Sequence, residues 1–167
     1  MHVTKILIIA DDLTGANDSA VQFAGRGFGA ATILVREDES SWAGPLAVEV
    51  IAASTESRNS PAIWAAERAF RISSALISEY SPDIIFKKVD STLRGNPGAE
   101  TAAIARALGT KVRAVIAPAY PENGRTVKSG RLYVDGKLLE ETYAARDPLA
   151  PVRSSLVADY FEETSSL

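Results

Sequence analysis

The sequence predicts an α/β domain built as three αβα layers, with a mainly parallel sheet and a β-hairpin near the C-terminus. Three observations carry this. Short apolar runs alternate with longer helix-like stretches as far as Pro118, the rhythm of successive βαβ units. The first run, Lys5-Ile6-Leu7-Ile8-Ile9-Ala10, is apolar without alternation, as expected of a strand covered on both faces. Asp135-Gly136 separates two short strand-like runs, a strong two-residue hairpin signal.

The elements follow in order. Residues 5–10 form the first strand and 14–25 a helix with Ala16, Ala20, Phe23 and Ala24 on one face. The glycines at 25, 27 and 29 follow a helix rather than a strand. They therefore read as a helix stop and turn, not as a dinucleotide loop. Strands are expected at 30–35 and 47–53, with an acidic surface loop at 37–44 between them. Ser60-Pro61 opens a long helix to Tyr80, with Ile63, Ala66, Phe70, Ile77 and Tyr80 near helical spacing. The run Asp83-Ile84-Ile85-Phe86 reads as the start of a buried strand over 84–88. Asn96-Pro97 then starts a helix over 97–108, closed by Gly109. A further strand is expected at 112–117. Beyond Pro118, residues 131–134 and 137–139 flank the hairpin turn. Residues 152–163 can form a last helix, and 164–167 are a polar end. Trp42 in a loop and Trp64 in a helix read as packing residues.

Composition narrows the chemistry. The 167 residues suit one domain, and 46% hydrophobic content is enough for a core. A net charge of −3 gives no basic footprint for nucleic acid or an anionic membrane. No apolar run is long enough to span a bilayer and no signal peptide is evident, so a cytoplasmic location is the default expectation. The absence of cysteine excludes disulfides, thiolate nucleophiles and thiolate zinc sites. The single histidine, His2, sits at a terminus, so a Ser-His-Asp triad and a histidine-based metal site are excluded too. Catalysis must rest on Asp, Glu, Lys, Arg, Ser, Thr or Tyr. Phosphoryl transfer works with that inventory, because it depends on positioning and charge stabilisation.

Two strand-to-helix turns stand out, and ligands of open α/β sheets bind at such turns. The first holds Asp11-Asp12-Leu13-Thr14-Gly15. Adjacent carboxylates repel, and a helix N-terminus offsets this only in part. A lone Asp here would read as a helix cap, but the doublet followed by Thr-Gly, with a lysine-arginine turn on the same edge, reads as a site. The second turn, Lys87 to Asn96, crowds Lys88, Asp90, Ser91, Arg94 and Gly95 into a few residues. Arginine and lysine there suit a carboxylate or phosphate, and aspartate can orient hydroxyls. Arg58 closes a third loop with Thr55 and Ser57. Arg125 follows a proline-rich turn, and Arg146-Asp147 reads as a local ion pair. Lys128-Ser129 lacks the glycine spacing of a phosphate-binding loop.

Five short runs carry a resemblance: ADDLTGAND from Ala10, STESR from Ser54, KKVDSTLRGNPGAE from Lys87, APAYPENGRT from Ala117 and ETYAARDP from Glu141. In this order they are similar to the N-terminal, substrate-binding domain of the four-carbon acid sugar kinases. Ser54 departs from the family's usual Asp, and Leu138 from a common Pro. The resemblance implies ATP-dependent phosphorylation of a threonate, erythronate or 3-oxo-tetronate. It also implies a substrate domain over 3–152, a C-terminal helix and linker over 153–167, and a nucleotide-binding domain outside this chain. On this reading Asp12 orients or deprotonates the attacking hydroxyl, and Arg94, with Arg58 or Arg125, holds the substrate carboxylate. Lys88, Asp90 and Ser91 fix the other hydroxyls, with Asp11 and Gly95 completing the site. No protein-held metal is expected, since Mg²⁺ comes with ATP. The implied partners are a sugar acid and the nucleotide-binding half, as a further domain or a separate chain. A homo-oligomer is left open. The alternative is a stand-alone sugar-acid-binding module without turnover.

Overall fold

The structure is a computed structural model and describes residues 4–35, 47–109 and 111–162. His2, Trp42, the acidic loop expected at 37–44 and the polar end at 164–167 lie outside the described residues. Four strands form a parallel sheet in the order β2-β3-β1-β4: β1 (Ile6–Ala10), β2 (Ala30–Leu34), β3 (Val50–Ser54) and β4 (Ile84–Lys88). Helix α1 (Leu13–Ala24) covers one face, and α2 (Ala62–Tyr80) and α3 (Pro97–Ala107) cover the other.

The continuous apolar runs follow from this layering. Leu7, Ile9, Ile51 and Ala53 pack with Ile72, Leu76 and Ile104, while Ile6, Ile8, Ala10, Val50 and Ala52 pack with Ala16 and Ala20 of α1. A strand with a hydrophobic layer on each side has no polar face to alternate with. Ala65 and Ala69, both fully buried, form the inner face of α2 together with Ile72, Leu76 and Tyr80. The stripe expected from Ile63 is shifted, and Ile63 and Trp64 lie 66% and 61% exposed. Trp64 is therefore not a packing residue.

Register places the ends of three strands together. Ala10 aligns with Ser54 on one side and Lys88 on the other. The chain segments that leave these strands, around Asp11, Thr55 and Val89, thus emerge at one level of the carboxyl edge.

After Pro118 the chain builds a second, antiparallel sheet, β5-β6-β7: β5 (Arg125–Lys128), β6 (Arg131–Val134) and β7 (Lys137–Leu138). The β6–β7 turn has Asp135 at φ 50° and Gly136 at φ 78°, the left-handed pair that a two-residue hairpin needs. Ser129 and Gly130 repeat it at 51° and 74°, which adds β5 as a strand beyond the expected hairpin. Leu132, Val134, Leu139, Ala144 and Val152 form a small core that closes on Leu93.

Four expectations need correction. Residues 112–117 form no strand; positions 111–117 are all exposed and carry no ladder. High β-propensity makes a strand only when a partner accepts its backbone bonds. Correspondingly, among the described residues β4 is an edge strand, not a buried one, and Ile84 and Phe86 are 50% and 45% exposed. Asn96 does not cap α3 with its side chain; its Nδ2 donates to the Ser60 carbonyl at 2.8 Å. Among the described residues the last helix, α4, spans only Asp159–Glu162, because the chain before it is held elsewhere: Val152 donates to the Ala144 carbonyl, and residues 155–157 run beside the start of β6, where Leu132 donates to the Ser155 carbonyl and Val157 to the Gly130 carbonyl.

Candidate functional site

Asp12 begins at the end of β1, with extended backbone, φ −143° and ψ 161°. Its Oδ1 accepts from the Gly15 amide at 2.8 Å, so it caps α1. Its Oδ2 lies 2.7 Å from Arg58 Nη1. The cap and the charged site are therefore two uses of one carboxylate. Gly15 makes this possible, since a Cβ there would sit 2.7 Å from Asp12 Oδ1 and 3.3 Å from Lys88 Cγ. Lys88 thus flanks the cap, with its Nζ donating to the Val89 carbonyl at 2.8 Å.

Arg58 binds two neighbouring carboxylates. Its Nε and Nη2 meet Asp11 Oδ2 and Oδ1, both at 2.9 Å, a bidentate fork. Its third nitrogen takes Asp12, and Asp90 Oδ1 lies 4.0 Å from Nη2. Burial disfavours the Arg58 cation, but the hydrogen bonds to Asp11 and the charges of Asp11, Asp90 and Asp12 outweigh it and raise its pKa. The Asp11 carbonyl also accepts from the Ser57 and Arg58 amides, at 2.9 and 3.2 Å. The first and third loops are thereby joined through backbone as well as charge.

Asp90 organises the second loop. It accepts from the Thr92 amide at 3.1 Å, the Thr92 hydroxyl, and Arg94 Nε and Nη2 at 2.9 and 3.0 Å. Burial alone would raise the Asp90 pKa; the hydrogen bonds from Arg94 and Thr92 and the charges of Arg94 and Arg58 hold it well below the usual carboxylate range. The remaining nitrogen of Arg94, Nη1, reaches Asp147 Oδ2 at 3.1 Å. Asp147 is therefore not locked in a local pair with Arg146. Between Asp90 and Arg94 the chain turns through Leu93 at φ 57°, a costly conformation for a branched residue. Burial of Leu93 in the C-terminal core offsets that cost. Gly95, at φ 86°, follows; a Cβ there would lie 3.1 Å from Asp11 Oδ2 and 3.3 Å from the Arg58 carbonyl oxygen. Only glycine lets the second loop approach the other two this closely.

The structure thus brings Asp11, Asp12, Arg58, Asp90, Arg94 and Gly95 together, with Lys88 against the cap. Ser91 lies half-buried in the same loop. Arg125 stands apart: it donates to the Tyr143 hydroxyl at 2.8 Å and to the Asn123 carbonyl, and none of its hydrogen bonds reaches the cluster.

Beneath the cluster runs a buried chain of contacts that motif reasoning passes over. Lys87 Nζ lies 2.5 Å from Glu100 Oε2, an ion pair without hydrogen-bond geometry. Glu100 Oε1 accepts from the Ser57 hydroxyl at 2.5 Å. Ser57 and Thr55 share a 2.6 Å hydrogen bond, and Thr55 donates to the Ala10 carbonyl at 3.0 Å. Glu100 is fully buried. The available signal was a lone Glu in the first turn of α3, below a strand that ends in lysine. Among the described residues, no group of three or more His, Cys, Asp or Glu side chains could hold a metal ion.

The titration of Asp90 makes a prediction. Its folded pKa lies below the unfolded value of about 3.9, so its stabilisation is complete above that value and is lost as pH falls through and below it. The urea midpoint should stay level from pH 7 to about 5 and then drop. Asp90→Asn should lower stability at pH 7 by about 1.5–3 kcal/mol and flatten the acid drop. An unchanged acid limb in the variant would remove Asp90 as its source.

Sheet, helices and strand-end loops define the class first: an α/β domain that gathers its charged groups at the carboxyl edge. Residues 6–167 match the family described as the sugar-binding N-terminal domain. The chain belongs to this family, the N-terminal domain of the four-carbon acid sugar kinases. It is 40% identical over 155 residues to a D-threonate kinase of Salmonella typhimurium, covering 93% of this chain and 36% of that protein. A D-erythronate kinase of Heliobacterium modesticaldum is 39% identical over 157 residues, 94% of this chain and 35% of that protein. A 3-oxo-tetronate kinase of Escherichia coli is 33% identical over 165 residues, 97% of this chain and 42% of that protein. The sequence therefore spans well under half the length of these relatives. Among solved structures, a domain of unknown function from Bordetella bronchiseptica superposes with a TM-score of 0.87 at 39% identity, covering 94% of this chain and 39% of that one. That protein was crystallised with bound citrate as a domain-swapped dimer.

Proposed function

We propose that this domain binds a four-carbon sugar acid at the carboxyl edge of its sheet and presents one hydroxyl for phosphorylation by ATP. The observation that supports this most is the meeting of three strand-end loops in one carboxylate–guanidinium cluster within the family-matched region. Asp12, tied to its helix through Oδ1, shares Oδ2 between Arg58 and the substrate hydroxyl that it orients and deprotonates. Asp90 is held ionised by Arg94, Asp11 is paired with Arg58, and both serve as acceptors for the other hydroxyls. Arg94 keeps two nitrogens on Asp90, while Nη1 exchanges Asp147 for the ligand carboxylate. Lys88 and Ser91 complete the shell, while Arg125 stays on Tyr143 outside it.

The turn after β1 does not fit the triphosphate of ATP. It presents Asp11 and Asp12 where a triphosphate needs amide donors and positive charge. The nucleotide, with its Mg²⁺, belongs in this reading to a further domain or partner chain. Residues 153–167 would lead toward that domain. A cytoplasmic location and a homo-oligomeric state complete the proposal; among the described residues no helix is long and apolar enough to cross a membrane.

Calorimetry of the domain with D-threonate, D-erythronate and a 3-oxo-tetronate tests the reading. One of them should bind, and Arg94→Ala should weaken binding by about 1.5–3 kcal/mol. Arg94→Lys should recover only part, because an ammonium cannot bridge Asp90 and ligand together. No binding of any of the three, or equal affinity in both variants, would overturn the assignment.

A further inference from the structure

We propose that Glu100 is a positioning residue of the charged cluster: from beneath, it fixes the second strand-end loop, residues 89–95, against the other two. This deepens the reading above and rests on it for the ligand. Glu100 is fully buried in the first turn of α3, so it does not meet a ligand itself. Its contacts nevertheless end one residue before groups of the cluster. Oε1 accepts from the Ser57 hydroxyl, next to Arg58. Oε2 faces Lys87 Nζ at 2.5 Å, next to Lys88, and that ammonium also donates to the Lys88 carbonyl at 2.8 Å. Through Ser57 and Thr55 the same chain of contacts reaches the Ala10 carbonyl, next to Asp11.

The first and third loops need no such link. The Thr55 amide donates to the Ala10 carbonyl at 2.8 Å, and the Ser57 and Arg58 amides donate to the Asp11 carbonyl. Among the described residues no backbone hydrogen bond ties residues 89–95 to either loop. The charged contact across the gap is long, with Asp90 Oδ1 4.0 Å from Arg58 Nη2. Asn96 ties the start of α3 to the Ser60 carbonyl, which leaves Glu100 as the side chain that joins the end of β4 to the third loop. A ligand reaching from Asp12 to Arg94 spans this gap, so its width decides whether both are met. Desolvation makes a buried ion pair a weak device for stability. One carboxylate with an oxygen on each loop is a good device for distance, and supporting groups of this kind hold a site to the fraction of an ångström it needs.

NMR of the domain measures the gap without a ligand. A Cβ on Gly95 would lie 3.4 Å from Arg58 Cα, so the α protons of the two residues should show a strong nuclear Overhauser effect. Ser57→Ala cuts the link to the third loop and keeps the pair with Lys87. Glu100→Gln keeps an acceptor for Ser57 and removes the charge that faces Lys87. Both variants should lose most of the Gly95–Arg58 intensity, while the Arg58 amide, bonded to the Asp11 carbonyl, keeps its protection from exchange. General loosening would take both signals together. In calorimetry each variant should bind the tetronate that the unmodified domain binds roughly tenfold more weakly or worse, the equivalent of one charged hydrogen bond. Full Gly95–Arg58 intensity in both variants overturns the proposal. So does intensity lost together with Arg58 amide protection in both, or tetronate affinity unchanged in both. If the unmodified domain binds none of D-threonate, D-erythronate and a 3-oxo-tetronate, the sugar-acid reading falls, and the Gly95–Arg58 signal still decides whether Glu100 sets the gap.

Discussion

Replacing Arg58 by alanine is expected to destabilise the domain by about 3–5 kcal/mol, the cost of removing one partner of a buried ion pair. Asp11 is 3% exposed and has both carboxylate oxygens on Arg58. Without the guanidinium its charge stays in a poorly solvated place beside Asp12, and the two repel. Urea unfolding at pH 7 measures the loss. Arg58→Lys should recover less than half, since one ammonium cannot span Asp11 and Asp12. Adding Asp11→Asn to Arg58→Ala should regain stability relative to Arg58→Ala alone, because the stranded charge is gone. A loss below about 1 kcal/mol, the range of exposed pairs, would show that the cluster is a surface network.

The largest effect on turnover is expected from Asp12→Asn. In a protein that carries this domain together with the nucleotide half, kcat should fall by roughly 10²–10⁴-fold, the usual contribution of a positioned acid–base group. The fold should survive, because Asn caps a helix as well as Asp and keeps the acceptor for the Gly15 amide. The expected signature is thus a low kcat at near-normal sugar-acid affinity. A coupled assay with ATP, run beside the calorimetry, separates the two. A loss smaller than tenfold would leave Asp12 as a cap and an Arg58 partner only.

Much of the charged cluster that forms the candidate site was legible because it lies in short runs. Asp11-Asp12 at the end of an apolar strand, and Lys88, Asp90 and Arg94 before a Pro-started helix, mark strand-end loops from local pattern alone. The family of the domain was legible the same way, from five motifs in order. The pairing inside the cluster was not. Arg94 could be read as a free cation, yet it bonds Asp90 four residues back and Asp147 far along the chain. Glu100 was one residue in a motif until the fold placed it between Lys87 and Ser57.

The sequence by itself determined the layers, the ends of the main strands, the hairpin turn at Asp135-Gly136 and the reduced catalytic inventory of a chain without cysteine. These depend on side-chain period, turn conformation and composition, which act within a few residues. Tertiary structure alone decided which charges neutralise each other, that Gly95 must lack a Cβ, that β4 stays an edge and that 111–117 form no strand. Those outcomes rest on strand register and on contacts between segments distant in the chain. The propensity of Val112 to Ala117 is the same whether or not a neighbouring backbone accepts its hydrogen bonds, so only the fold could show that none does within the described residues.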